Sequence, residues 1–157
     1  MAFSDGTLLL ERAIARGIMF ACAESCTGGM VAAALTDLPG SSAMFDRGFV
    51  TYTNGAKMDL LGVTEQTLDA HGAVSEETAR EMVAGTIARS KAQIAVSITG
   101  IAGPGGSDHK PEGRVCFGLA VGQTVTTETC EFGVLGRDKV RLAARDHALS
   151  LLLGAVS

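Results

Sequence analysis

Residues 24–29 read Glu24-Ser25-Cys26-Thr27-Gly28-Gly29, a carboxylate, two nucleophiles and two glycines set directly ahead of an apolar, helix-like stretch. Successive backbone N–H groups in such a turn can cradle a phosphate or stabilise an oxyanion. A purely structural turn, with Thr27 as a helix cap and the glycines allowing close packing, reads equally well. The run is not a Walker A loop, for want of Gly-Lys-Ser/Thr at the required spacing, and it lacks the G-x-G-x-x-G fingerprint. Lys57, just after Asn54-Gly55, is either a solvated charge or a general base. Burial would disfavour its ammonium form and leave an amine able to take a proton from serine. Ser-Lys pairs are a recognised form of nucleophilic catalysis. Cys26 is a rival nucleophile if a helix N-terminus ionises its thiol.

Other residues carry weaker signals. His109 beside Asp108 admits a serine-histidine-acid arrangement, whereas His71 and His147 fall on or near helices and read as structural or solvent-exposed. Cys22 and Cys26 are four apart, but no Cys/His pair with metal-site spacing accompanies them, so no metal and no cofactor is expected. Residues 100–113 hold five Gly, two of the three Pro and Lys110. That stretch is long for a connection, and reads either as a mobile surface loop or as one that encloses a ligand.

Alternating helices and strands must position these groups. A helix over residues 5–16, opening on a cap-like Ser4-Asp5, puts Leu9, Leu10, Ala13 and Ile14 on one face and stops at Gly17. Strands are predicted at residues 18–23, 49–52 and 93–99, with helices over 30–38 and from Asn54. Ser75 caps a further helix with Glu76 and Glu77 in its first turn and an apolar stripe of Ala79, Met82, Val83, Thr86 and Ile87. Residues 114–121 and 124–132 read as a hairpin around Gly122-Gln123, and Val140, Ala144, Ala148, Leu151 and Leu152 give a last helix its core face. The fold class is α/β: a single layered α/β/α domain over residues 1–157 with a mixed sheet. Open α/β sheets take ligands outside the C-terminal ends of their strands. The first strand ends at Glu24-Ser25, the second at Tyr52 with Lys57 beyond, and the third at Ser97 and Thr99, so hydroxyls and one amine approach a single rim.

Composition narrows the function. The chain has 157 residues, enough for one domain with a sizeable core. Thirteen Lys and Arg against seventeen Asp and Glu leave a formal charge of −4, which argues against nucleic acid or an anionic membrane as partner. With 4% aromatics and no Trp, few base-stacking platforms are available. No apolar run approaches the roughly 18 residues of a membrane span, and the first residues lack a basic-then-apolar leader pattern. The four cysteines are therefore expected as free thiols in a cytoplasmic protein that handles a small molecule.

Six blocks in chain order carry a resemblance: AESCTGG (23–29), GFVTYTNGAK (48–57), LGV (61–63), HGAVS (71–75), SITGIAGPGG (97–106) and KPEGRV (110–115). Together they resemble the CinA C-terminal domain family in its stand-alone form, the nicotinamide-nucleotide amidohydrolases, over nearly the whole chain. The resemblance implies hydrolysis of the carboxamide of nicotinamide mononucleotide to nicotinate mononucleotide and ammonia. It implies a Ser25-Lys57 dyad accompanied by Tyr52 and Thr99. Substrate contacts are expected from Glu24, Cys26, Thr27, Gly28 and Gly29 of the turn and from Gly100 and Gly103 of the glycine-rich stretch. Either Arg137 or Arg141 should join them, and the sequence does not separate the two. Thr53 stands where the family commonly has Ser and keeps the hydroxyl. Glu112 replaces a Val, adding a carboxylate that would weaken phosphate binding if it pointed inward. An amidase using Cys26 and a nucleotide-binding regulatory module without turnover are the alternatives. A homodimer is expected.

Overall fold

The computed structural model describes residues 5–107 and 109–157. The chain runs through helix α1 (Gly6–Arg16), strand β1 (Phe20–Glu24), helix α2 (Met30–Thr36), strand β2 (Phe45–Val50) and helices α3 (Asn54–Leu61), α4 (Glu65–His71) and α5 (Glu76–Ala88). Strand β3 (Ile94–Gly100), the hairpin β4 (Arg114–Val121) and β5 (Thr124–Glu131), and helix α6 (Arg137–Ala155) complete it. The strands form one sheet in the order β2-β1-β3-β4-β5. The first three are mutually parallel, and the hairpin adds to β3 in antiparallel register. This is the mixed-sheet α/β architecture that the patterning predicts.

Alternation along the strands makes the two helical layers. Phe20 and Cys22 of β1, Val96 and Ile98 of β3 and Phe117 of β4 pack with Leu9, Leu35, Val140, Leu149 and Leu152 from α1, α2 and α6. Each such fully buried Phe or Leu contributes about 1.5–3 kcal/mol relative to exposure. The opposite face is built from small residues, Ala21, Ala23, Ala95 and Ala120, against Leu61, Leu68, Met82 and Val83 of α3, α4 and α5. Close packing continues between helices: a Cβ on Gly85 of α5 would lie 2.0 Å from the Leu61 carbonyl oxygen. Only glycine allows α5 to seat the end of α3 by direct backbone contact.

Local signals account for most boundaries. Ser75 caps α5 by accepting the Thr78 N–H at 3.1 Å, and Thr53 caps α3 by accepting that of Ala56 at 3.1 Å. Several details differ from the sequence reading. β2 begins at Phe45 and ends before Tyr52, because it is a half-exposed edge strand whose Asp46 and Arg47 mask any apolar run. β1 extends through Glu24, which brings that carboxylate into the sheet. α4 was not predicted; its seven residues bury only Leu68 and so carry no helical period. Ile14 is 55% exposed and faces away from the core, and Leu149 joins Leu152 as a fully buried leucine of α6 while Leu151 is only partly buried. Asp5 occupies the first cap position without a side-chain cap bond. The predicted Ser4 cap and the Asp108 partner of His109 lie outside the described residues.

Candidate active site

Ser25 follows β1 directly, and its own N–H remains tied to the sheet through the Ile98 carbonyl at 2.9 Å. Lys57 sits in the first turn of α3, the helix that follows β2. The two meet at the C-terminal edge of the parallel strands: Lys57 Nζ lies 3.0 Å from Ser25 Oγ. The same amine donates to the carbonyls of Thr51 at 2.9 Å and Tyr52 at 3.3 Å. Lys57 is 1% exposed, with no carboxylate recorded against its amine among the described residues. Burial therefore pulls its pKa from 10.5 down to about 8. A lysine so placed holds an appreciable fraction of free amine near neutrality and touches the one hydroxyl it would deprotonate.

Cys26 lines the same cavity, but burial pushes its thiol up to about 11, against smaller lowering effects that include the Arg141 charge. The thiol is thus the protonated neighbour of the serine, and the electrostatics that a cysteine nucleophile needs are missing.

Glu24 is fully buried and turned away from the cavity. Its carboxylate accepts the N–H groups of Gly29 at 3.2 Å, Val31 at 2.9 Å and Ala32 at 3.0 Å, so a strand residue satisfies the exposed amides that open α2. Gly29, instead of Thr27, holds the N-cap position. Gly28 donates to the Ser25 carbonyl at 3.1 Å, and Thr27 is fully buried. Glu24, Thr27, Gly28 and Gly29 therefore shape the turn beneath Ser25 and are not among the residues that line the cavity. Of the amides in this turn, those of Cys26 and Thr27 donate to no acceptor among the described residues.

The cavity has a volume of about 340 Å³. Its far walls come from the glycine-rich loop and from Ala73 and Val74. Gly100 and Gly103 both line it. A Cβ on Gly103, whose φ is +90°, would meet Glu112 Cδ at 2.5 Å. The Glu112 carboxylate accepts the Gly105 N–H at 2.6 Å, so it braces the loop from outside the cavity lining instead of opposing a ligand. Thr99 Oγ donates to the Ala73 carbonyl at 2.7 Å and makes no recorded bond to Lys57. Ser97 is directed under α5, donating to the Ala79 carbonyl, and plays no part in the cavity.

Lys110, which the sequence reading left without a role, donates to the carbonyls of His71 at 2.5 Å and Val74 at 2.6 Å. Ser75 and Thr78 both donate to the carbonyl of Gly72. The four carbonyls from His71 to Val74 are therefore all engaged.

The two arginines separate clearly. Arg137 opens α6 and lines the cavity, with its guanidinium donating to the Tyr52 hydroxyl at 2.7 Å and the Gly103 carbonyl at 2.8 Å. It links α6, the segment after β2 and the glycine-rich loop across the mouth. Arg141, one turn on, donates to the carbonyls of Cys26 at 3.0 Å and Thr27 at 3.5 Å, holding the nucleophile turn outside the cavity lining. No helix among the described residues is long and apolar enough to cross a membrane.

Comparison with known proteins places the chain in a family. Residues 6–156 match the family model described as the CinA C-terminal domain. The chain is 52% identical over 141 residues to nicotinamide-nucleotide amidohydrolase PncC of Escherichia coli K12, covering 88% of this chain and 84% of that protein. It is 61% identical over 106 residues to a CinA-like protein of Chloroherpeton thalassium, covering 67% of this chain and about a quarter (25%) of that longer relative. A crystal structure of a competence/damage inducible protein from Agrobacterium tumefaciens superposes with a TM-score of 0.91 at 46% identity, covering 100% of this chain and 99% of the other.

Proposed function

The chain belongs to the CinA C-terminal domain family, and from that membership we propose that it hydrolyses the carboxamide of nicotinamide mononucleotide, with Ser25 as nucleophile and Lys57 as base. Its named relatives support the substrate. The observation that carries the mechanism is the buried Lys57 amine, 3.0 Å from Ser25 Oγ and titrating at about 8.

The neutral amine takes the Ser25 proton as Oγ bonds to the carboxamide carbon, and the carbonyl electron pair moves onto oxygen. The Cys26 N–H, which donates to no backbone acceptor among the described residues, is the turn's proposed donor for that oxyanion; such a donor is typically worth about 3–4 kcal/mol. Collapse breaks the C–N bond, Lys57 returns its proton to the leaving nitrogen, and ammonia departs. Water then attacks the acyl-serine as Lys57 accepts one of its protons; collapse breaks the C–Oγ bond and releases nicotinate mononucleotide, and Lys57 returns the proton to Ser25 Oγ. Arg137 and the glycine-rich loop hold the 5′-phosphate at the mouth, where remote binding energy orients the amide.

Ammonia release from nicotinamide mononucleotide by wild type, Ser25→Ala, Lys57→Ala and Cys26→Ser tests this. Activity should survive Cys26→Ser and fall by at least about 10³-fold in the other two. Turnover persisting in Ser25→Ala would overturn the mechanism and leave the substrate standing. A wild type that binds the nucleotide without releasing ammonia would replace the reading with a regulatory module.

A further inference from the structure

On the opposite side of the hairpin from α5, Glu128 and Cys130 of β5 and His147 of α6 converge. We propose that these three side chains form a binding site for a borderline-soft divalent cation of the Zn²⁺ class, separate from the cleft.

The strand's alternation puts the pair on one face. Thr127 and Thr129 turn toward α5, where both donate to Glu76, which leaves Glu128 and Cys130 on the α6 side. The carboxylate Oε1 lies 2.5 Å and the sulfur 3.6 Å from His147 Nε2, and the three ligand atoms all fall within 4.8 Å of one another. The ring is held in place by Phe117, with centroids 4.6 Å apart, and by the edge of Phe132. The ligand set therefore sits on rigid elements, with its imidazole already oriented.

Two features favour a cation over a simple His-Glu pair. Carboxylate and thiol both aim at the same ring nitrogen, which has a single proton or lone pair to offer, so hydrogen bonding serves one of them at a time. A metal at that focus serves all three. The charges also balance: a thiolate and a carboxylate beside a neutral imidazole sum to −2, matching a divalent ion.

Zinc takes nitrogen and oxygen ligands at about 2.0–2.2 Å and sulfur at about 2.3 Å, which spaces tetrahedral ligand atoms by roughly 3.3–3.8 Å. The sulfur–nitrogen distance already fits. The half-exposed Glu128 carboxylate, which has solvent to move into, opens by about 1 Å to complete the set. Water supplies the fourth ligand.

The test is a Co²⁺ titration of the full chain, followed by competition with Zn²⁺. A thiolate-to-cobalt charge-transfer band should saturate at one ion per chain and be erased by Zn²⁺. It should disappear in Cys130→Ser and remain in Cys116→Ser. Glu128→Gln, at an exposed position, should keep the fold and weaken binding by about tenfold or more. Saturating Zn²⁺ should also raise the melting temperature of wild type more than that of Glu128→Gln. A missing charge-transfer band, a band that survives Cys130→Ser, or equal thermal responses in wild type and Glu128→Gln would each overturn the proposal.

Discussion

Glu24 and Ser25 are consecutive residues that serve opposite faces of the sheet. The Glu24 carboxylate accepts three backbone N–H groups at the start of α2, while the Ser25 hydroxyl meets Lys57 Nζ at 3.0 Å on the other side. The nucleophile is thus held through its neighbour: the acid anchors the turn to the helix, and the Ser25 N–H is tied to β3 through Ile98.

Glu24→Ala should therefore damage both stability and turnover without touching a ligand. It leaves buried amides unsatisfied, at about 1–3 kcal/mol each. A net loss of about 3 kcal/mol would lower the melting temperature by roughly 6–12 °C in a chain of this size. Thermal denaturation checks the first effect, and ammonia release well below the new melting point checks the second. Glu24→Gln, which keeps one acceptor oxygen, should fall between the two.

Lys57 predicts two linked pH effects. The amine form is the working base, so kcat/KM should rise with pH through about 8 and then level, gaining about tenfold from pH 7 to the plateau. Stability should move the same way at higher pH. The folded-state pKa of about 8 lies below the ordinary 10.5, so between those values the unfolded chain binds the extra proton. Unfolding free energy should then climb by roughly 3 kcal/mol across that window, and that increment is absent below pH 8. Denaturant melts at pH 7.5 and 10.5, repeated on Lys57→Met, isolate the contribution; a variant with the wild-type slope would refute the assignment.

Arg137 and Arg141 should fail differently. Arg137→Ala removes the cation at the cavity mouth and should raise KM for the nucleotide by about tenfold or more while kcat changes less. Arg141→Ala frees the Cys26 and Thr27 carbonyls beside the nucleophile, so its loss should appear in kcat and in melting temperature. Steady-state kinetics on both variants separates a binding arginine from a positioning one.

Gly85→Ala should be among the more damaging single-methyl additions in the protein. The new Cβ would sit 2.0 Å from the Leu61 carbonyl oxygen and push α3, the helix that carries Lys57, off its seat. A destabilisation of about 1–3 kcal/mol or more is expected, with turnover reduced even at temperatures where the chain stays folded.

Much of this was legible in the residues. The caps at Ser75, the stop at Gly17 and the hairpin follow from local chemistry, and the ordered sequence blocks carried the Ser25-Lys57 pairing. What was hidden depends on contacts between segments. Arg137 and Arg141 are one helical turn apart, so their spacing puts them on the same side of α6, and only the packed neighbours decide which one reaches the cavity. Glu24 reads as a candidate substrate contact until its three amide donors are seen. Glu128, Cys130 and His147 belong to a strand and a helix, and no spacing rule joins them. The start of β2 escaped because an edge strand has too little to bury to leave a pattern.

The wall from His71 to Val74 has a further consequence for ligand choice. With His71 and Val74 taken by Lys110, Gly72 by Ser75 and Thr78, and Ala73 by Thr99, this side of the cleft presents few lone pairs to a visitor. Arg137 and Lys110, both lining the cavity, make the surroundings electropositive. A pyridinium nucleotide enters with its phosphate dianion outweighing the ring's positive charge. The corresponding riboside is a bare cation that finds neither acceptors nor a counter-charge on this wall. Under the proposed function, discrimination between them would come as much from what the wall withholds as from what the arginine offers.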